Sequence, residues 1–212
     1  MAHVPFLLFL IFPLLVSSSY DEDLIIERRP HHVDWEDLFM EYNRYCAPNR
    51  LRQEVNLTID VVDIRQDRVI FELNQHWRDE RLRFVGMARV PVPSHIQPWY
   101  PDTYIRNGYD VVMEQRSLSL NPDGTFLLRQ KYQITLNSDS STKELTVVIT
   151  SLSNYGTDMI NYNLIDSIVD LDSHSHITHV NKLRKFDGLR FNDVILTVHP
   201  STVVSIISNS TL

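Results

Sequence analysis

Apolar residues at every second position constrain this chain more than any other feature of its sequence. Val55, Leu57, Ile59 and Val61 alternate with polar neighbours, Ile64 follows, and Val69, Phe71 and Leu73 repeat the pattern. The stretch from Thr125 to Ile134 continues it, and later runs cover Leu145 to Leu152, His176 to Leu183 and Phe191 to Val198. Successive side chains of a strand point to opposite faces, so this is the period of strands with one buried face. Turn-forming clusters separate the runs: Arg65-Gln66-Asp67, Asn121-Pro122-Asp123-Gly124, Asn137 to Thr142 and Phe186-Asp187-Gly188. The spacing predicts an all-β fold, an antiparallel β-sandwich of about ten strands. One N-terminal α-helix precedes them. Trp35, Leu38, Phe39 and Tyr42 stand at helical spacing within residues 33–45, Asp34 is placed to cap the first turn, and Ala47-Pro48-Asn49 ends the run. No repeat, low-complexity tract or linker interrupts residues 20–212, which read as one domain.

The segment before that domain is of a different kind. An apolar run from Val4 to Val16 is followed by Ser17-Ser18-Ser19 and then by Asp21, Glu22 and Asp23. Residues 1–19 read as a signal peptide cleaved near Ser19, because about 13 apolar residues fall short of the roughly 20 that span a bilayer. The expected product is secreted, with no membrane-spanning segment in the mature chain. Two sequons, at Asn56 and Asn209, fit glycosylation of such a product. Cys46 is the single cysteine, which excludes an intrachain disulfide and any zinc site built on several thiolates. It reads as a buried thiol or as a bridge to a partner. A formal net charge of −7 argues against nucleic acid, which calls for a basic face.

Three stretches have a composition and spacing that stand out: Trp77-Arg78-Asp79-Glu80-Arg81-Leu82, Trp99-Tyr100-Pro101-Asp102-Thr103-Tyr104-Ile105-Arg106-Asn107, and Asn121-Pro122-Asp123-Gly124-Thr125-Phe126 running on to Ile134-Thr135-Leu136. Physically they read first as architecture. Trp77 and Leu82 suit a core, Asp79 and Arg81 can pair to pin a turn, and Asp102 can bond nearby amides beside the fixed backbone of Pro101. In their order and spacing they resemble the extracellular ligand-binding domain of the pentameric neurotransmitter-gated (Cys-loop) ion channels. Ser151-Leu152-Ser153-Asn154-Tyr155-Gly156 is similar to that family's loop B strand. Phe186 to Phe191 with Val194 to Val198 is similar to the end of loop C and the last strand. The resemblance covers about residues 34–200.

The resemblance implies a small neurotransmitter-like ligand bound between subunits, in a homo- or hetero-oligomer, without a cofactor, a metal or enzymatic activity. It places loop A at Arg106, loop B at Tyr155, loop C at Phe191 with Phe186 nearby, loop D at Glu72, and loop E around Phe126 and Leu128. Aromatic residues at such positions hold an ammonium group by cation–π attraction. Here Glu72 and Arg106 stand at two of them, a pair suited to clamping an amino-acid zwitterion or to meeting as an ion pair across the interface. The sequence departs from the family at Asn137 to Val147, which lacks the namesake cysteines and proline, and no four membrane helices follow before Leu212. The expectation is therefore a domain that binds without forming a pore on this chain. The alternatives are a non-binding modulatory or structural partner of channel subunits, or a truncated product of a channel gene. His174, His176 and His179 invite a metal reading, but His179 has the wrong parity to share a strand face with the others, so an exposed or pH-sensitive loop is the simpler account.

Overall fold

Alternation in the sequence becomes strand in the computed structural model, which describes residues 33–65, 67–136, 144–154, 159–169 and 176–199, all within one unit that begins at Val33. The segment read as a signal peptide, together with Tyr155, His174 and Asn209, lies outside the described residues. A short helix, α1 (Trp35–Phe39), leads into β1 (Gln53–Arg65), β2 (Arg68–Arg78), β3 (Val90–Pro91), β4 (Thr103–Ile105) and β5 (Gly108–Leu120). After them come β6 (Thr125–Leu136), β7 (Leu145–Ser151), β8 (Ile160–Val169), β9 (His176–Phe186) and β10 (Leu189–His199). Among the described residues these ten strands form a six-stranded sheet, ordered β3-β5-β6-β2-β1-β8, and a four-stranded sheet, ordered β4-β7-β10-β9. The fold is an all-β sandwich, as the alternation predicts.

Two details differ from the sequence reading. All but one of the pairings are antiparallel; β8 joins the sheet edge parallel to β1. Alternation decides which face of a strand is buried and says nothing of its neighbour's direction. The helix also stops at Phe39 instead of running to Tyr45. Past that point the backbone tightens into three-residue bonds, Met40 N–H to Asp37 and Tyr42 N–H to Phe39. That turn delivers Tyr42 to the top of the sandwich, where its hydroxyl donates to Asp79 at 2.8 Å and accepts from the Trp99 amide at 2.9 Å.

The core lies between the sheets and is built from the residues that alternation selects. Val55, Leu57, Ile59 and Val61 of β1 face Leu145, Val147 and Ile149 of β7 and Val194, Leu196 and Val198 of β10, all fully buried or nearly so. Each such side chain contributes about 1.5–3 kcal/mol by leaving water. Trp77 closes one end, stacked on Phe126 at 5.1 Å and meeting Trp99 edge-on at 6.1 Å. A polar chain crosses the middle: Gln130 accepts from Gln75, and Thr103 bonds both Gln75 and the hydroxyl of the wholly buried Tyr162. These bonds fix the register of one sheet over the other, since each buried polar atom needs its partner.

The family-like motifs sit where the structure turns. Asp79, wholly buried, takes two bonds from the Arg81 guanidinium at 2.8 and 2.7 Å, and Arg81 lies over the Tyr42 ring at 4.5 Å. Gly124 faces that knot with a φ of +85°, and a Cβ there would meet the Asp79 carbonyl oxygen at 2.4 Å. Only glycine fits both demands. At the far hairpin, Asp187 and Gly188 both have positive φ and join β9 to β10 in a two-residue turn.

Candidate functional site

On the outward face of the four-stranded sheet, three strands bring four charged or aromatic groups together. Asp193 of β10 points away from its core neighbours Val194 and Leu196, yet only 1% of its side chain is exposed. Arg184 of β9 covers it, with Nε 2.8 Å from Oδ2. Arg106, just past β4, brings Nη1 within 3.4 Å of the same oxygen while 40% of its own side chain stays exposed. The Arg184 guanidinium also lies 4.3 Å from the centre of the buried Phe191 ring. Oδ1 of Asp193 and Oγ1 of Thr150, on the neighbouring β7, are buried without a hydrogen-bond partner among the described residues.

The local sequence explains why Arg106 lands there. Its amide donates to the Val148 carbonyl at 2.9 Å. The Asn107 side chain then donates to the Thr146 carbonyl and accepts from the Val148 amide at 2.8 Å, which extends β4's docking on β7 by side-chain bonds. Asp102 anchors the other end of this segment. Burial works to raise its pKa, but hydrogen bonds from Ser151, Ser153 and Asn154 outweigh it and hold the carboxyl below the usual carboxylate range. The strand that carries loop B in the resemblance is thereby tied to the segment that carries loop A.

A buried carboxylate needs compensation, and here two guanidiniums supply it. Together the three groups carry a formal charge of +1, and the solvent side of that excess is the exposed part of Arg106. The arrangement suits an incoming anion more than a cation, because planar guanidinium groups receive carboxylates in paired hydrogen bonds. Phe191 has its ring taken by Arg184 from the same chain, and the exposed aromatic at the hairpin tip is Phe186, at 66%.

Glu72 lies on the outward face of the other sheet, exposed, opposite Lys131 of β6 and Asp60 of β1 in the strand register. Lys131 reaches Glu114 at 3.2 Å. Asp60 is raised above the ordinary range by burial and then by the charges of Glu72 and Asp166. A groove of about 520 Å³ runs past Glu72, Gln115, Ser117, Arg129 and Lys131, with Arg116 at its border. Phe126 and Leu128, where the sequence reading places loop E, are instead buried toward the core, so neither ring nor side chain is open to a ligand. Alternation puts Arg129 and Lys131 on Glu72's face, one residue out of step with that assignment. Within one chain Glu72 lies on the six-stranded sheet, whereas Arg106, in the turn after β4, pairs with Asp193 of the four-stranded sheet.

The remaining expectations can be placed as well. Asn56 is half-buried in mid-strand and accepts from Asn163 at 3.4 Å, beside Glu54, which takes bonds from both Asn161 and Asn163. Cys46 is half-buried and in no disulfide. His179 is exposed on β9, and among the described residues no three His, Cys, Asp or Glu gather as a metal-holding group. A cavity of about 800 Å³ lies away from Arg106 and Glu72, at the start of β1. Four of its charges pair among themselves, Arg52 with Glu54 at 3.3 Å and Arg78 with Glu80 at 3.4 Å, while Arg50 reaches the Cys46 sulfur at 3.8 Å. No helix among the described residues is long and apolar enough to cross a membrane. No protein-family model matches the chain.

Proposed function

We propose that this chain is an extracellular ligand-binding domain of the pentameric neurotransmitter-gated type. In this reading it holds a small amino-acid-like ligand where two subunits meet. The carboxylate of the ligand rests on Arg106 of one subunit, and its ammonium group faces Glu72 of the next. The observation that carries the reading is the Arg106–Asp193–Arg184 cluster, whose excess positive charge reaches solvent on the outward sheet face. The exposed apolar residues support the assembly. Tyr109, Val111, Val112 and Met113 line the β5 edge, and Val180, Leu183 and Phe186 line the β9 edge. Two unlike apolar edges on one subunit are what a head-to-tail ring requires. A quaternary ammonium ligand fits less well, since Arg184 already occupies the Phe191 face.

A second reading, a modulatory or structural partner that binds no transmitter, is favoured by one observation: Asp193 already takes up part of Arg106's charge. A thermal-shift panel separates the two. Glutamate, glycine or γ-aminobutyrate raises the melting temperature of the wild-type chain under the first reading, acetylcholine does so less, and Arg106→Ala abolishes the shift. Silence from every amino acid tested, with a ring present by light scattering, supports the modulatory role instead.

A further inference from the structure

A second cleft lies on the same chain, between the turn that follows α1, the segment before β4 and the open side of β5. It has a volume of about 430 Å³ and is walled by Arg44, Tyr45, Gln97, Trp99, Tyr100 and Arg116. That size is within the range of small-molecule sites. Among the described residues none bordering it is acidic, although the chain as a whole carries a net charge of −7.

Its two arginines belong to those of the chain that meet no carboxylate among the described residues. Arg52, Arg65, Arg78, Arg81, Arg106 and Arg184 each reach a carboxylate within 4.0 Å. Among the described residues Arg44 and Arg116 reach none. Arg44 donates to Gln97 and, at 2.9 Å, to the Tyr45 hydroxyl, both neutral groups. The Arg116 guanidinium carbon sits over the Tyr100 ring, 4.3 Å from its centre, and its N–H groups find no acceptor among the described residues. Stacking leaves the edge of a guanidinium free, and that edge is where a carboxylate docks in two parallel bonds. Beside these charges, Tyr45 is 82% exposed and Tyr100 is half-buried, so the cleft offers aromatic surface next to cationic edges.

The cleft stays open because the sheet ends there. β3 pairs with β5 at Leu120 and Ser119, so among the described residues the stretch of β5 around Arg116 has β6 on one side and no strand on the other. We propose that this cleft binds a small aromatic carboxylate, its acid group between Arg44 and Arg116 and its ring against Tyr45 and Tyr100. The aromatic walls favour such a ligand over an inorganic anion, which would bring nothing to cover them. The site uses none of the residues of the Arg106 cluster, and Arg116 is the residue it shares with the border of the groove past Glu72.

The test is a titration of the full chain with 4-hydroxybenzoate, read by calorimetry and by tryptophan fluorescence, since Trp99 borders the cleft. Saturable binding is expected with a Kd below about 10 mM. It weakens at least about tenfold in Arg44→Gln and in Arg116→Gln, each checked for an unchanged melting temperature. Arg116→Lys, which keeps the charge but not the paired edge, falls between. Methyl 4-hydroxybenzoate and inorganic phosphate are expected not to bind. The proposal is overturned if the ester binds as tightly as the acid, if phosphate competes with equal affinity, or if no saturation is seen. It is equally overturned if both Gln variants bind as the wild type does. Loss of binding in Arg106→Ala with Arg44→Gln unaffected would put the acid on the other cluster and also overturn it.

Discussion

Replacing Arg184 with alanine isolates what holds the outward cluster together. The change removes the 2.8 Å bond from Nε to Asp193 and leaves that carboxylate, 1% exposed, facing a single guanidinium 3.4 Å away. Breaking a buried ion pair by deleting one partner costs about 3–5 kcal/mol, because the surviving charge stays desolvated. Arg106 remains and is 40% exposed, so water and a residual pair offset part of that loss. The expected destabilisation is therefore about 2–3 kcal/mol. Loss of the cation–π contact with Phe191 adds about 0.5–1 kcal/mol, and the two together set the upper end near 4 kcal/mol. Urea unfolding followed by tryptophan fluorescence reads the change as a lower midpoint at constant slope. A double variant, Arg184→Ala with Asp193→Asn, removes the stranded charge and is expected to recover at least about 1 kcal/mol of it, which a double-mutant cycle measures. A loss below about 0.5 kcal/mol in Arg184→Ala, or no coupling in the cycle, refutes the burial of Asp193 as the cause.

Other consequences test separate links of the account. Gly124→Ala places a Cβ 2.4 Å from the Asp79 carbonyl at a positive φ, and is expected to cost at least about 1–3 kcal/mol in the same assay; a change within about 0.5 kcal/mol contradicts it. Tyr42→Phe removes the donor to Asp79 and the acceptor for the Trp99 amide, with an expected loss of about 1–3 kcal/mol and a tryptophan emission shift. Asp60 has a raised folded pKa, so its ionised form is penalised at neutral pH, and that penalty disappears below its unfolded pKa of about 3.9, where both states are protonated. Asp60→Asn should accordingly raise the melting temperature at pH 7 and leave it unchanged at pH 3; the reverse order would refute the assignment.

Much of the sandwich was legible because one face of most strands is buried. Val55, Leu57, Ile59 and Val61 announce β1, and Val69, Phe71 and Leu73 announce β2, since each alternates against solvent-facing neighbours. Strand β5 gave no such signal. From Tyr109 to Ser117 it is exposed at every residue, so nothing in that stretch demands a period of two. Strand β8 begins with alternation at Ile160, Tyr162 and Leu164, but a register shift opposite Leu57 and Thr58 breaks it, and its parallel direction leaves no mark on composition. At the site, Arg106 could be located by its spacing from Trp99, whereas Asp193 and Thr150 occupy strand positions that read as ordinary polar, outward residues. Over Asp193 the cover comes from Arg184 and Arg106, a cross-strand event that one strand's pattern does not encode. The burial of Phe126 and Leu128 escaped the sequence reading for a related reason. Phe126 is the conspicuous aromatic, and its prominence reflects stacking on Trp77 in the core, while Arg129 and Lys131 carry the outward face.

The central claim is a ligand shared by two subunits, and complementation between two variants tests it most directly. Arg106→Ala disables one side of every junction and Glu72→Ala the other, so amino-acid binding is expected to vanish in each variant assembled alone. Co-expressed and co-assembled, the two restore an intact pair at about a quarter of the junctions of a head-to-tail ring. Calorimetry should then recover about that fraction of the wild-type sites. Absence of recovery in a verified mixed assembly, or full binding by either variant alone, contradicts the shared site.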